Sequence, residues 1–300
     1  MEKPYLLHML TAAKNLSPFD VNMAYDAGWT ACTPYLQVTL DEVQGLVQDA
    51  IFSRGPKGVA RTGIFLGGRD IHVANDMMEA ARKAMVPPFE VSVFADPSGA
   101  FTTAAAMVAC VEAQLRKAGA DGLRGQRVLV FGGTGPVGTA AAMLASKAGA
   151  DAAIVSHLGL AKAEETVARA RSRDEVGLSA ADGSSQERTQ GLVAGADAVF
   201  NAAAAGVQVL TSAEVAAGAR LKVACDVNAV PPEGIEGVGV MDNAVALEAS
   251  PSGAVGIGAL AVGNLKYRVQ QGLLRQMHQA GSPQYLGLDA ALEMARAHVD

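Results

Sequence analysis

The segment 128–144, VLVFGGTGPVGTAAAML, constrains the fold of this chain more than any other. Four apolar residues lead into a glycine-rich turn, and an alanine-rich stretch with strong helical propensity follows. A buried strand that turns directly into a helix is the building unit of parallel sheets, because parallel neighbours need a crossover connection. The segment therefore predicts an α/β protein.

The rest of the chain repeats this alternation of apolar and helical segments. Helix starts are marked by Ser17, an N-cap before Pro18, and by capping boxes at residues 39–42 and 211–214. The segments that predict strands are residues 5–10, 63–66, 91–95, 127–131, 152–156, 198–200 and 222–225.

Two long helical segments, residues 102–125 and 264–280, flank a region that reads β-α-β-α-β. We therefore predict a Rossmann-type doubly wound parallel sheet in residues 106–263. A smaller α/β N-terminal domain, residues 1–105, is expected to be completed by C-terminal helices in residues 264–300. Ligands are expected in the cleft between the two domains.

The composition argues against several classes of partner. Hydrophobic residues make up 50% of the chain and the net charge is −6, so neither nucleic acid nor an anionic membrane is an expected partner. The three cysteines are far apart and the histidines lack ligand spacing, which argues against disulfides and a metal site. The N-terminus has no long apolar run, and residues 253–263 are too short to span a bilayer. We expect a cytoplasmic protein.

The glycine-rich turn carries the spacing GxGxxG at Gly133, Gly135 and Gly138. In this context the first glycine permits a tight turn, the second lets the backbone approach a pyrophosphate, and the third lets the helix pack on the strand. The helix N-terminus offers amides and partial positive charge to the phosphates. A connection without a ligand is the competing interpretation. The predicted dinucleotide contacts are Gly133, Thr134, Gly135, Pro136, Val137 and Gly138.

The end of the next strand bears on the choice of nucleotide. Sites that prefer NAD usually carry Asp or Glu there to bind the ribose 2′-hydroxyl, but this strand ends in Ser156 and His157. Nothing there repels a 2′-phosphate, Ser156 can donate a hydrogen bond, and His157 or Lys162 could add positive charge. The sequence favours NADP and leaves NAD open as well. His157 and Lys162 could equally be ordinary solvated residues.

Two later segments follow predicted strands and are expected to complete the cofactor site. Residues 200–207 offer small side chains where a nicotinamide ribose would lie, and Asp226 and Asn228 open a loop that continues into a Pro-Pro turn. Turn chemistry alone would also explain Asp226 and Asn228. The predicted contacts are Asn201, Ala202, Ala203, Asp226 and Asn228.

Five segments together resemble a known family. SPFDVNMAYDAG, DPSGAFTTAAAMV, GGTGPVG, DVNAVPPEGI and GIGALAVGNLK occur in this order in methylene-tetrahydromethanopterin dehydrogenases of methylotrophic bacteria. The resemblance extends from residue 7 to residue 266, and two of the motifs are not general nucleotide-binding patterns. It implies an NAD(P)-dependent oxidoreductase of formaldehyde oxidation, with tetrahydromethanopterin as the one-carbon carrier. It also implies a cytoplasmic homo-oligomer, a trimer or hexamer.

The implied reaction suits a sequence with few acid–base candidates. Hydride leaves a carbon flanked by two nitrogens, whose lone pairs spread the positive charge of the methenyl product. No proton has to move and no metal is required, so the positioning of two rings carries most of the catalysis.

The resemblance also implies a pterin pocket. Phe19 would stack on or wall the pterin ring, and Asp20 would accept hydrogen bonds from the aminopyrimidine edge. The alternatives are a core role for Phe19, a helix-terminal role for Asp20 and N-capping by the threonines. The implied substrate-binding residues are Phe19, Asp20, Thr102, Thr103 and Lys266.

Lys266 is also the predicted catalytic residue. It lies early in the predicted helix 264–280, where a cation opposes the macrodipole. An ammonium would repel a methenyl cation. Lys266 is therefore expected to hydrogen-bond a pterin or linking carbonyl, or to be held by a carboxylate such as Asp20.

Four other functions compete with this interpretation. A methylene-tetrahydrofolate dehydrogenase would run the same chemistry on a different carrier. A shikimate- or glutamate-type dehydrogenase needs a Lys/Asp pair, for which only Lys14 with Asp20 or Asp26 is available. A non-catalytic NAD(P)-binding sensor would have no use for a second pocket, and a cyclohydrolase would need a water-activating base.

Overall fold

The computed structural model describes residues 3–299. Within them, the strands are β1 (Leu6–Thr11), β2 (Ala31–Leu36), β3 (Thr62–Gly67), β4 (Ser92–Ala95), β5 (Arg127–Phe131), β6 (Asp151–Ser156), β7 (Leu178–Asp182), β8 (Ala198–Asn201), β9 (Val223–Asp226), β10 (Asn243–Ala246), β11 (Val255–Ile257) and β12 (Tyr285–Leu286). The α-helices are α1 (Pro18–Asp26), α2 (Val43–Phe52), α3 (Gly55–Val59), α4 (Ile71–Lys83), α5 (Ala100–Lys117), α6 (Pro136–Lys147), α7 (Leu160–Arg171), α8 (Gln186–Ala194), α9 (Ser212–Ala217), α10 (Ala259–Gln279) and α11 (Leu288–His298).

The chain divides into two compact units. The first unit contains the chain up to Thr102 together with Tyr267–Met294, and the second contains Thr103–Lys266 together with the residues from Ala295 onward. The divisions therefore fall inside α5, α10 and α11.

The first unit is built on a five-stranded sheet of order β12-β4-β3-β1-β2, in which every neighbouring pair is parallel. Read from the other edge, the order is β2-β1-β3-β4-β12, which reverses direction between β1 and β3. The C-terminal part of the chain was predicted to complete this unit with helices. It also contributes β12, which pairs with β4.

The second unit is built on a seven-stranded sheet of order β10-β11-β9-β8-β5-β6-β7. All pairs are parallel except β10 with β11. From β7 to β11 the strand order is that of the doubly wound dinucleotide-binding fold, with its switch point between β5 and β8. The predicted fold class is confirmed.

All seven predicted strands are present, with ends shifted by at most one residue. The strands that the sequence did not predict are short or lie at sheet edges. β2 contains Pro34, which argues against an interior strand but is tolerated at an edge, where one side of the backbone needs no ladder partner. The predicted strands were found by their continuous runs of apolar residues. Edge strands do not need such a run, so this pattern does not reveal them.

Local start signals were predicted correctly at α1, at α9 and at a short 3₁₀ helix, Leu40–Glu42, that directly precedes α2. Ser17 Oγ accepts a hydrogen bond from the amide of Phe19 at 3.2 Å. At Thr39 and Thr211 the backbone amides donate to Glu42 Oε2 and Glu214 Oε2, each at 2.8 Å, which forms the two capping boxes. These contacts involve residues two or three apart, so they follow from the sequence directly.

Two further features concern the described part of the chain. No helix in residues 3–299 combines the length and the apolar composition needed to cross a membrane. The same residues contain no cluster of three or more His, Cys, Asp or Glu side chains placed to hold a metal ion.

Candidate functional site

The glycine-rich turn after β5 closes tightly on the segment that follows β8. Gly132 has a φ of +66°, and a Cβ at this position would lie 2.3 Å from the backbone nitrogen of Ala203. The sequence assigned the tight turn to Gly133, but the left-handed conformation falls on Gly132. Gly133 is required for packing instead, since its Cβ would meet Val130 O at 2.7 Å and Ile154 Cγ2 at 2.9 Å.

The two remaining glycines of the motif have different surroundings. A Cβ on Gly138 would lie 2.4 Å from Gly132 O, so the first turn of α6 packs directly on the loop. Gly135 is the N-cap of α6, and the nearest atom to its Cβ position is Gly132 O at 3.4 Å. Space beside Gly135 is therefore open, as a backbone that approaches a phosphate requires.

A cavity of about 470 Å³ lies beside this turn, within the second unit. It is placed at the carboxyl ends of β5, β6 and β8 and at the N-terminus of α6, the usual position of a dinucleotide. The geometry fits such a group. Among the predicted cofactor contacts, those that line the cavity are Thr134, Gly135, His157, Ala202 and Ala203.

The end of β6 lacks an acidic group. Ser156 is buried and its Oγ accepts a hydrogen bond from the amide of Leu158 at 3.1 Å, while the neighbouring His157 is exposed. Lys162 does not line the cavity and pairs with Glu165, Nζ to Oε2, at 2.7 Å. Within residues 3–299, none of the side chains that line the cavity is Asp or Glu.

Asn201, Asp226 and Asn228 form a buried network rather than a wall of the cavity. Asn201 Nδ2 donates to Asp226 Oδ1 at 2.8 Å, and the amides of Asn228 and Ile235 donate to the same carboxylate at 2.9 and 2.8 Å. Asn228 Oδ1 accepts from the amide of Gly206 at 3.1 Å. Burial raises the pKa of Asp226 against the opposing effect of these hydrogen bonds. The network fixes the two loops that follow β8 and β9.

Replacement of Asp226 by alanine is expected to lower the free energy of unfolding by about 3 kcal/mol, because several buried donors lose their acceptor at once. The urea midpoint of the purified variant measures this effect. The Asp226→Asn variant keeps the volume and one acceptor, so it should lose less. An unchanged midpoint for Asp226→Ala would contradict the structural role.

Two adjoining cavities lie in the first unit, at the carboxyl ends of β1 and β3, where the strand order reverses. The smaller, of about 330 Å³, is lined by Asp20, Arg69 and Ser98 among others. Asp20 is 3% exposed, and its Oδ1 accepts a hydrogen bond from Gln270 Nε2 at 2.7 Å. A buried carboxylate at the switch point of a parallel sheet is suited to bind a ligand that donates hydrogen bonds.

The other predicted pterin contacts differ in their surroundings. Phe19 is 44% exposed, which excludes a core position. Thr102 is fully buried, and its Oγ1 donates to Asp96 Oδ2 at 2.7 Å. Thr103 is the next residue of α5 and is partly buried. Both threonines lie inside α5, which begins at Ala100, so neither is its N-cap.

Lys266 lies more than one turn inside α10, because this helix begins at Ala259 rather than at the predicted residue 264. The expected conflict with the helix macrodipole is therefore wrong, since that effect is confined to the first turn. Lys266 belongs to the second unit, and Asp20 belongs to the first.

The sequence did not indicate Arg69 or Ser98 at the switch point of the first unit. Ser98 adopts a left-handed backbone conformation with a φ of +53°, and its Oγ donates to Gly68 O at 2.6 Å. Non-glycine residues in this conformation are concentrated at functional sites. The only available signal was that each residue follows shortly after a strand of a parallel sheet.

Comparison with known proteins gives the chain a family. A sequence model described as methylene-tetrahydromethanopterin dehydrogenase, N-terminal, matches residues 18–98. The chain is 44% identical over 290 residues to the NAD(P)-dependent methylenetetrahydromethanopterin dehydrogenase of Methylorubrum extorquens, with 97% of each chain covered. It is 33% identical over 264 residues to bifunctional protein MdtA of the same bacterium, with 88% of each covered.

Solved structures share the fold at low identity. Shikimate 5-dehydrogenase from Listeria monocytogenes superposes with a TM-score of 0.54 and 17% identity, covering 97% of this chain and 96% of that one. The NAD-dependent malic enzyme of Thermotoga maritima gives a TM-score of 0.57 and 14% identity over 93% and 73%. These structures establish the fold alone.

The near-complete match to the Methylorubrum extorquens dehydrogenase confirms the resemblance found in the sequence motifs. Two proteins that shared only the dinucleotide-binding fold would not be this similar in sequence over both units. The chain belongs to the family of NAD(P)-dependent methylenetetrahydromethanopterin dehydrogenases.

Proposed function

We propose that this protein transfers a hydride from methylene-tetrahydromethanopterin to NADP or NAD and yields methenyl-tetrahydromethanopterin. The observation that carries the proposal is the 44% identity, over 97% of each chain, to a dehydrogenase named for this reaction. Residues 106–263 would bind the dinucleotide, and residues 1–105 with 264–300 would bind the pterin. We also propose, on the resemblance of the sequence motifs, a cytoplasmic homo-oligomer, a trimer or hexamer, that acts in formaldehyde oxidation.

When the dinucleotide is bound, its nicotinamide ring is the acceptor of the hydride. The chain contributes the open backbone at Gly135, the N-terminus of α6 and a cavity without acidic walls. Amides at a helix start hold phosphates without the help of an ionisable side chain. Asn201, Asp226 and Asn228 would act as positioning residues for the loops that border this site.

On the pterin side, the buried carboxylate of Asp20 supports recognition of the aminopyrimidine edge, whose paired donors match two carboxylate oxygens. Phe19 offers an exposed ring for stacking. Thr102 acts through Asp96, which accepts both its hydroxyl and its amide, and thus supports the start of α5. Lys266 would hydrogen-bond a carbonyl of the pterin or of its linking group. It would not stabilise the product cation, which it repels.

The direct test follows reduced nicotinamide by absorbance after methylene-tetrahydromethanopterin is mixed with the protein and either NADP or NAD. A rise with at least one nucleotide supports the proposal. Flat traces with both would contradict it and would favour a non-catalytic NAD(P)-binding sensor if NADP still binds in a titration. Methylene-tetrahydrofolate, assayed side by side, tests the alternative carrier.

Introduction of an acid at the end of β6 is expected to shift the nucleotide preference toward NAD. Ser156→Asp should raise the KM for NADP by about 30-fold, because the new carboxylate repels the 2′-phosphate and can still accept the Leu158 amide. The KM for NAD should change by less than about threefold, since the carboxylate can bind a 2′-hydroxyl. Ser156→Ala is the uncharged control. Equal increases for NADP and NAD would show that the substitution only damages the site.

A further inference from the structure

The larger cavity of the first unit is not explained by recognition of the pterin ring. We call it the switch-point cavity. It measures about 400 Å³ and is formed by the loop after β1, residues 12–15, and by the loop after β3 with the start of α4, residues 67–70 and Val73. Binding sites in open parallel sheets occur at such reversals of strand order, because adjacent loops there diverge and leave a crevice.

Two cations line the switch-point cavity, one from each loop. Lys14 follows β1 and Arg69 follows β3, and both side chains are exposed. Among residues 3–299, neither forms an ion pair with a carboxylate. The chain as a whole carries a net charge of −6. Two such cations at one cavity create a local positive potential that is opposite in sign to this net charge.

One acidic residue, Asp70, also lines the cavity. Its Oδ1 accepts the amides of His72 at 2.8 Å and Val73 at 3.2 Å, so it is the N-cap of α4. The partial positive charge of the helix N-terminus offsets this carboxylate. The cavity as a whole therefore favours an anion.

The switch-point cavity adjoins the smaller cavity that Asp20 lines, and both share Asn15 and Arg69. Asp20 lines only the smaller cavity and Lys14 only the larger one, while Arg69 lines both. A ligand that spans both cavities and matches these side chains donates hydrogen bonds in the smaller one and carries negative charge in the larger one.

We propose that Lys14 and Arg69 bind the anionic substituent of the one-carbon carrier, a phosphate or carboxylate group, while its pterin ring lies toward Asp20. The proposal rests on the proposed function for the identity of the carrier. Tetrahydromethanopterin bears a phosphate and carboxylates on the substituent distal to its pterin, and tetrahydrofolate bears carboxylates alone. The aminopyrimidine edge of either pterin donates hydrogen bonds, as the smaller cavity with Asp20 requires.

The test is equilibrium binding by calorimetry, which needs no turnover. The ligands are tetrahydromethanopterin, tetrahydrofolate and 6-methyl-tetrahydropterin, which lacks the anionic substituent. The variant is the double substitution Lys14→Met and Arg69→Gln. Both positions are exposed, so it should fold normally. Lys57→Met, at an exposed position in α3 that lines neither cavity, is the matched control.

The double variant is expected to raise the Kd for tetrahydromethanopterin about tenfold and to leave the Kd for 6-methyl-tetrahydropterin unchanged. Its binding should also depend less on salt than that of the wild type, because screened charge pairs are absent. A tetrahydrofolate Kd that rises equally identifies the carboxylates as the bound group, whereas a selective effect on tetrahydromethanopterin identifies the phosphate.

An unchanged Kd for tetrahydromethanopterin would overturn the proposal, as would an equal increase for 6-methyl-tetrahydropterin, which would place the cations at the ring. A wild-type protein that binds none of the carriers would overturn it too. A wild type that binds carrier through these residues but does not reduce NADP or NAD would leave the inference intact and refute the dehydrogenase function.

Discussion

Gly132→Ala is expected to lower the free energy of unfolding by about 4 kcal/mol and to abolish dinucleotide binding. Two effects add. An alanine at a φ of +66° is strained, and its Cβ would lie 2.3 Å from the nitrogen of Ala203 and 2.4 Å from the carbonyl carbon of Ala202. Both contacts are with backbone, so no side chain can rotate away. The loops after β5 and β8 would have to separate.

Gly135→Ala is the matched control for Gly132→Ala, because it is expected to weaken cofactor binding with little effect on stability. Gly135 has a φ of −86°, which alanine adopts readily, and its nearest neighbour lies 3.4 Å from the new Cβ. The cost in stability should stay below about 1 kcal/mol, while the Kd for NADP should rise at least about tenfold because the methyl group occupies the approach of the pyrophosphate. Thermal unfolding and NADP titration of both variants measure the two effects. Equal losses of stability, or unaltered NADP binding by Gly135→Ala, would contradict this division of roles.

Asp20→Asn is expected to lower kcat/KM for the methylene carrier by about 100-fold, with the KM for NADP unchanged. The substitution is nearly isosteric, but the amide presents a donor where the carboxylate accepts. The new amide donor would face either the aminopyrimidine donors of the ligand or Gln270 Nε2, which in the wild-type structure donates to Asp20 at 2.7 Å. Because Asp20 is 3% exposed, water cannot replace the lost acceptor.

The control for Asp20 is Gln270→Ala, which removes a hydrogen-bond donor but leaves both carboxylate oxygens in place. Its loss of kcat/KM should be about tenfold or less, because the carboxyl group is less well oriented but keeps both of its oxygens. Steady-state kinetics with the carrier varied at saturating NADP measures both variants, and circular dichroism checks their folding. A larger loss for Gln270→Ala than for Asp20→Asn would exclude the proposed role of the carboxylate.

The predictions that succeeded depended on short-range signals. The β5–α6 segment, the N-cap at Ser17 and the capping boxes involve neighbours within a few residues, and local sterics determine them. Edge strands such as β2 carry no comparable signal, since their pairing is decided by the strands beside them. The predicted start of α10, residue 264, lies five residues after its first residue, Ala259. Gly263 lies inside this helix, where glycine has low helical propensity.

The cofactor site was partly predictable for the same reason. The identity of Ser156 and His157 at the end of a strand is a local property, and Ser156 is the last residue of β6 in the structure. The role of Asp226 was predictable only in part. Turn chemistry accounts for the amide of Asn228, which donates to Asp226 Oδ1 from two residues along the chain, but the donors Asn201 and Ile235 lie 25 and 9 residues away and no local pattern indicates them. Tertiary packing determines whether a carboxylate binds a ligand or accepts hydrogen bonds from its own chain.

The sequence by itself determined the α/β class, the strand–turn–helix that offers amides to a dinucleotide, and the family, because each is recorded in contiguous residues. Only the tertiary structure decided that Gly132 rather than Gly133 takes the left-handed conformation, since the reason is the approach of Ala203 from another loop. Only the tertiary structure brought Arg69, which follows β3, to the edge of the first sheet where Lys14 and Asp20 follow β1. Parallel strands align their carboxyl ends whatever their distance along the chain, and no local pattern encodes which loops then become neighbours.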